Sequence, residues 1–565
     1  MTERSVPSFP PSDLDRRQAL KLALGASAFG VLAACGSSSG GSSSGGSAPG
    51  GTSSQPAVKH SNASIPSVTW GVGTGTIIGL DIASAFDGHA MYVQRCGLEG
   101  LLAATNTLGL GPLLATSWKY QPASLKYVFQ IRPGVKFWDG STMTVDDVVF
   151  SLTRHIDPKV GSQIGAYFAN VDSFVKTGAS ELTIKLKHPD PDVANSLVFA
   201  PILSRKFVEK IGSGLGSPGS GLRIMGTGPY QITSFPSSTS CTVEVFESYW
   251  GTKPAVQKCS FTCIADAQTL LLAAQSGQID GTFDVPPQNA SNWKKVTSLR
   301  PYSAPGMSMF YLSFDVSKPP WNDLHARKAV AYAANTAGYV RAFVGGNGTP
   351  ASCVVPPQQW GPVLPQAQVA KLYATLPTYP YSIAAAKKEL AQSATPHGFT
   401  TNKLLIPNSL PALVNAAESL SLTLKQIGII LPVEQVGESQ WLANLYAHKD
   451  TIGIVASEFG PDYADPADYI NLLYPSANAV KNNFNTANFK DPQVDKLLVQ
   501  ASSSAANADR AKYLFEVLKI SAEQLPYLAL WWQDDIMAVQ SKYVYENFTG
   551  LYYNQNWLSR IFTAS

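Results

Sequence analysis

Residues 132–150, RPGVKFWDGSTMTVDDVVF, pack two turns and a helix start into a short space. That density constrains the local fold more tightly than any other stretch of the chain. Pro133-Gly134 and Asp139-Gly140 are turn dipeptides, so Val135–Trp138 between them has room for one short strand. Thr144 is placed as a helix N-cap, with Asp146 and Asp147 in the first turn, where the helix dipole favours acids. Val148, Val149 and Leu152 then follow on one helical face. The stretch predicts a strand–turn–capped-helix unit. Elsewhere VTWGVGT from Val68, LKYVFQI (125–131) and LTIKLK (182–187) read as strands, while TVDDVVFSLTRHI (144–156) and IAAAKKELAQS (383–393) read as helices. GSGLGSPGSG at 212–221 reads as a loop at a domain edge. Strands and helices interleave with no regular βαβ period and no internal repeat. That favours an α/β architecture with discontinuous domains over a barrel.

A chain of 565 residues is too long for one hydrophobic core, so two or three domains are expected. Its 45% apolar and 14% charged residues are the balance of a compact globular protein. The net charge of +3 leaves no electrostatic footprint for nucleic acid, and no basic run supplies one. Aromatic residues reach 10%, enough for a core and for aromatic walls around a ligand.

Near the N-terminus Arg16-Arg17, followed by Leu20 and Lys21, resembles a twin-arginine export signal. The apolar run behind it is too short to span a bilayer and ends in Leu32-Ala33-Ala34-Cys35, like a bacterial lipobox. Residues 1–35 are therefore expected to be a signal peptide ending at a lipidated Cys35. Residues 36–65, Gly/Ser-rich as far as 57, would form a flexible tether. Such a tether holds a folded domain clear of the membrane, and two or three acyl chains on one cysteine give stable anchoring. The expected location is extracytoplasmic, attached to the cell membrane by the lipid. In that compartment disulfides are permitted. Of Cys96, Cys241, Cys259, Cys263 and Cys353, one cross-strand bridge from Cys241 to Cys259 or Cys263 is expected. The C-x-x-x-C spacing without a nearby histidine is a poor zinc pattern, and neither a metal nor a cofactor is expected.

Residues 113–158, LLATSWKYQPASLKYVFQIRPGVKFWDGSTMTVDDVVFSLTRHIDP, closely resemble the family 5 solute-binding proteins of ABC transporters. The resemblance continues in order through GTGPY (226–230), TVEVFESYWGTKP (242–254), DAQTLLLAAQSGQIDG (266–281), ARKAVAYAANTAGYVRAFVGGNGTPASCVVPP (326–357), PDYADPADYINLLY (461–474) and LPYLALWWQDDIMAVQSKYV (525–544). It spans about Val68 to Arg560, with Asn335-Thr336 departing from the family's usual pattern. It implies a two-lobed periplasmic-binding-protein-like clamp of α/β class with an extra subdomain (type II, cluster C). Domain I would comprise 66–98, 222–318 and 529–565; domain II 99–221; and domain III, the opposing lobe, 319–528. By the same resemblance the 132–150 stretch is scaffold in the second domain.

In peptide-binding members the aspartate of a Trp-x-x-Asp-Tyr pattern, three places after an aromatic residue, holds the ligand's α-amino group. Phe459-Gly460-Pro461-Asp462-Tyr463 matches it, which implies an amine clamp at Asp462. Phe459 replaces the tryptophan, and Pro461 lacks the N–H that strand-like pairing with a ligand would use. Asp462 as a cap on the turn before DPADYINLL is the competing structural role. The family's other backbone-contact segment falls on Phe86, Asp87 and Gly88, where a plain loop is the alternative. Trp441, Trp531, Trp532 and Trp557 are further candidates for the pocket wall, against core packing.

The implied partners are a short peptide and the permease subunits of an ABC importer, with the protein acting as a monomer. Relatives that bind oligosaccharides, metal chelates or haem keep a non-peptide solute open. An anchored enzyme is disfavoured, because His-Glu-x-x-His and Gly-x-Ser-x-Gly are absent and the seven histidines are dispersed. GVGTGTIIG (71–79) imitates a dinucleotide fingerprint with the wrong spacing.

Overall fold

A computed structural model describes residues 58–445, 453–504 and 506–565. The expectations on Arg16, Arg17 and Cys35 lie outside these residues, as does the tether up to residue 57. The tether's last residues are tied into the fold: His60 pairs with Ala564, and Ile65 is buried and donates its N–H to Ala255.

The 132–150 stretch shows how sequence sets local structure. Gly134 (φ 75°) and Gly140 (φ 83°) take the left-handed conformations that their turns require. The expected strand at Val135–Trp138 does not form. A single bridge joins Lys136 to Thr142, with Phe137 N–H donating to Ser141 O, because the second turn closes before a ladder can extend. Thr144 then caps the helix Val145–Thr153 in a capping box: Asp147 N–H donates to its hydroxyl, and Thr144 N–H to the Asp147 carboxylate. Val148 and Leu152 are fully buried, and Trp138 donates its indole N–H to Gly228 O. The unit thereby docks onto the GTGPY segment.

A nine-stranded mixed sheet carries the molecule. Its order is Ile454–Phe459, Leu299–Phe314, Tyr527–Gln540, Gly281–Thr282, Val68–Val72, Lys258–Cys263, Ser240–Val245, Tyr230–Ser237, with Gly348–Pro350 also pairing to Tyr527–Gln540. A second, antiparallel sheet of four strands orders as Ala115–Gln121, Lys126–Ile131, Glu181–Leu186, Val171–Lys176. Separate cores form around Trp70, Tyr230 and Trp557, around Phe314, Leu420 and Trp531, and around Trp360, Tyr469 and Phe515. One chain thus forms a two-lobed α/β clamp.

The lobes are joined by the two longest strands, Leu299–Phe314 and Tyr527–Gln540, which pair from Leu299–Gln540 to Ser313–Tyr527. One end of the pair borders Gly281–Thr282; the other borders Ile454–Phe459. Between Ala304 and Ser308 the register breaks in a bulge. Gly306 sits there so close to the opposite strand that a Cβ would lie 1.6 Å from Gln533 O. Only glycine fits, and the bulge turns Gln533–Asp535 toward the space between the lobes.

The expected disulfide is absent: all five cysteines in the described residues are free. In the antiparallel register Cys241 faces Phe261 and Cys259 faces Val243, so neither thiol lies directly across from another. Burial pushes each of these thiols above its ordinary pKa.

Candidate functional site

Between the lobes lies a cavity of about 660 Å³, within the range of sites that enclose a small solute. Phe86, Asp87, Gly88, Phe459 and Asp462 all reach its wall, and so does Trp441. Tyr463 does not. It is buried behind the wall, its ring packed edge-on against Tyr167 at 6.3 Å. Trp531, Trp532 and Trp557 are core residues: Trp531 stacks on Phe310 at 4.6 Å, and the indoles of Trp532 and Trp557 donate to Cys353 O and Tyr92 O.

Phe86-Asp87-Gly88 is the entry to the helix Gly88–Gly97, not a plain loop. Asp87 is its N-cap, Oδ1 accepting from His89 N–H at 3.0 Å and Ala90 N–H at 3.2 Å. Its Oδ2 is buried without a partner. Behind it Asp284 accepts from Tyr92 OH and Gly73 N–H and lies 3.3 Å from His89 Nε2. Phe86 is fixed by Gln163 Oε1, which accepts its N–H at 2.8 Å, and by Phe199 at 5.4 Å between ring centres.

The strand Ile454–Phe459 ends just before Gly460 and leads to Asp462 on the cavity wall. Asp462 caps nothing. The helix Pro466–Leu473 is capped by Asp465, which accepts from Ala467 N–H at 2.9 Å. Asp462 instead accepts from the hydroxyl of Tyr167, 295 positions earlier in the chain. Its backbone is fixed at both ends: its N–H donates to Asp468 at 2.8 Å and its carbonyl accepts from Asn554 at 2.6 Å. Burial pushes the Asp462 carboxyl up to about 6, against the pull of the Tyr167 hydrogen bond. A second tie between distant parts of the chain lies nearby. Arg510, on the helix Asn507–Gln524, makes two hydrogen bonds to Asp465, at 2.6 and 2.7 Å, and one to Asp192. Burial alone would lower the Arg510 pKa, but the two carboxylates together hold it above its ordinary value.

Sequence reasoning missed Tyr167, Arg510 and an acidic stretch of wall formed by Glu458, Asp534 and Asp535. Asp534-Asp535 had a signal: two acids in succession interrupt the apolar strand YLALWW–IMAV. Burial raises Glu458 to about 7, opposed by the Ser308 hydroxyl, and Asp535 to about 7, helped by the neighbouring charges of Asp534 and Glu458. Because these folded-state values exceed the unfolded ones of 4.5 and 3.8, the folded chain binds extra protons between about pH 4 and 7. Stability of the ligand-free protein therefore falls as pH rises through that window. Thermal unfolding should show a midpoint a few degrees higher at about pH 5 than at about pH 8. The double variant Glu458→Gln/Asp535→Asn should reduce that difference, the remainder coming from other buried carboxyls such as Glu99 and Asp462, which burial raises to about 7 and about 6. An unchanged pH profile in the variant would refute the assignment.

The sequence matches the model of the bacterial extracellular solute-binding proteins, family 5, over residues 109–481. It is 25% identical over 462 residues to the glutathione-binding protein GsiB of Escherichia coli K12, covering 80% of this chain and 86% of that one. Among solved structures it is similar to DppA from Helicobacter pylori in complex with the peptide STSA (TM-score 0.73, 20% identity, 89% of this chain and 99% of that one). It is also similar to the oligopeptide-binding protein AppA from Bacillus subtilis in complex with a nonapeptide (TM-score 0.69, 20% identity, 89% of this chain and 100% of that one). With its fold, its interlobe cavity and a family match over most of its length, the chain belongs to the bacterial extracellular solute-binding proteins, family 5.

Proposed function

We propose that this protein captures short peptides outside the cytoplasm and delivers them to the permease of an ABC importer, without chemistry of its own. The observation that carries the reading is Asp462, a carboxylate at the cavity wall whose backbone is fixed and which no cation among the described residues neutralises. A buried carboxylate of this kind is stabilised by an incoming ammonium, and a peptide's α-amino group supplies one. GsiB, named for binding glutathione, and DppA and AppA, solved with peptides, support the same class. Export through Arg16-Arg17, lipidation at Cys35, a tether, and the three domains as bounded above complete the proposal. Two chain-discontinuous parts of one lobe would then close against residues 319–528 about the long strand pair.

Native mass spectrometry of the full-length protein, purified gently from its own host, tests this. A heterogeneous set of co-purifying peptide masses is the expected result. A single non-peptide mass, or a ladder spaced by a sugar unit, would overturn it.

A further inference from the structure

The charges on the cavity wall are heavily one-sided. Among the described residues that line it, nine are carboxylates, one is a lysine and none is an arginine. Lys187, that lysine, is exposed and donates to Ala169 O. Some of the carboxylates have partners: Asp192 has Arg510, and Asp284 has His89, Tyr92 and Gly73 N–H. Among the described residues no cation pairs with Glu458 or Asp535. The sheet brings them to the same wall, since Phe310 pairs on one side with Glu458 and on the other with Trp531, and the bulge carries the chain on to Asp535. Asp535 has Asp534 and Glu458 as its charged neighbours. On another part of the wall Asp87, with a side chain only 7% exposed, leaves its buried Oδ2 without a hydrogen bond.

Unpartnered carboxylates in a closing, low-dielectric cleft are costly unless a cation enters with the solute. A peptide with neutral side chains brings one ammonium and one carboxylate. Once Asp462 has taken the ammonium, the rest of the wall faces a ligand of net negative charge. We propose that the cavity selects short peptides bearing a lysine or arginine side chain, whose cationic head is received by Glu458 and Asp535. The inference rests on the peptide reading and names its substrate class.

The full chain, unfolded and refolded to remove bound solute, is titrated calorimetrically with Ala-Ala-Ala, with the three tripeptides in which one alanine is replaced by lysine, with Ala-Glu-Ala and with spermidine. At least one lysine peptide should bind about ten-fold or more tighter than Ala-Ala-Ala, and Ala-Glu-Ala more weakly than either. In Glu458→Gln/Asp535→Asn the preference for the lysine peptides over Ala-Ala-Ala, both measured on that variant, should shrink to within about two-fold. Ala-Ala-Ala binding as tightly as every lysine peptide, or a preference that survives the double variant, overturns the inference and leaves the peptide reading standing. Spermidine bound in a Glu458- and Asp535-dependent way, with no tripeptide bound, overturns the peptide reading and upholds a cationic solute at these carboxylates. Failure of every probe to bind overturns both.

Discussion

Arg510→Met should destabilise the folded protein by about 3–5 kcal/mol, because it strands two buried carboxylates that the guanidinium now neutralises together. Asp465 cannot swing away, since Oδ1 also caps the helix Pro466–Leu473 through Ala467 N–H. Asp192 is held by Asn471, whose side-chain N–H donates to it at 3.0 Å. Methionine fills similar volume, so the loss reports charge rather than a cavity. The two carboxylates sit on opposite lobes under the proposed domain boundaries, which predicts a second effect in the same variant. The ligand-free protein should populate an open form, seen as a larger radius of gyration in solution scattering. Asp192→Asn separates the two effects. It removes one lobe's charge but leaves the Arg510–Asp465 pair intact, so it should open the clamp with a smaller loss of stability. A denaturation midpoint for Arg510→Met within about 1 kcal/mol of the parent would show that the site neutralises itself in another way.

How far sequence could foresee these groups depends on how local their chemistry is. The capping box at Thr144 and Asp147 was legible because both partners lie within one helical turn. The strands Val68–Val72 and Lys126–Ile131 were legible as short β-branched and aromatic runs, and Glu181–Leu186 from clean alternation. Asp462 was legible only through a family resemblance. Its competing role as a cap failed because the cap lies three residues later, at Asp465. The cysteine bridge misled because strand proximity is not register: Cys241 and Cys259 lie on neighbouring strands, each opposite an apolar residue. Glu458 was invisible because an acid on a strand reads as solvent-facing until the element across from it is known. Arg510 and Asp192 are 318 positions apart, and nothing near either residue announces the other. Tyr167 sits in a single turn of helix, Gly165–Phe168, whose pattern carries no sign that its hydroxyl reaches Asp462.

Asp462→Asn should weaken binding of a peptide with a free α-amino group by about 100-fold, the cost of leaving a desolvated ammonium without its counter-charge. The asparagine is isosteric and retains a carbonyl oxygen to accept from Tyr167, so the lobes can still close. Folding stability should hold or rise, because the protein no longer buries a carboxyl that burial has driven up to about 6. N-acetylation of the ligand supplies the other half of a double-mutant cycle. In the parent protein, capping the amine should cost nearly as much as the substitution itself. In the variant the same capping should cost little, because the partner has already gone. The hydrogen bond to Tyr167 adds a reason to expect coupling with closure. Under the proposed domain boundaries that hydroxyl belongs to the other lobe, so with it on Oδ2, Oδ1 remains for the ammonium and both bonds form together only when the clamp is shut. Tyr167→Phe should therefore speed peptide dissociation more than it slows association, as measured by stopped-flow displacement. If acetylation costs as much in Asp462→Asn as in the parent, the ammonium is held elsewhere in the cavity.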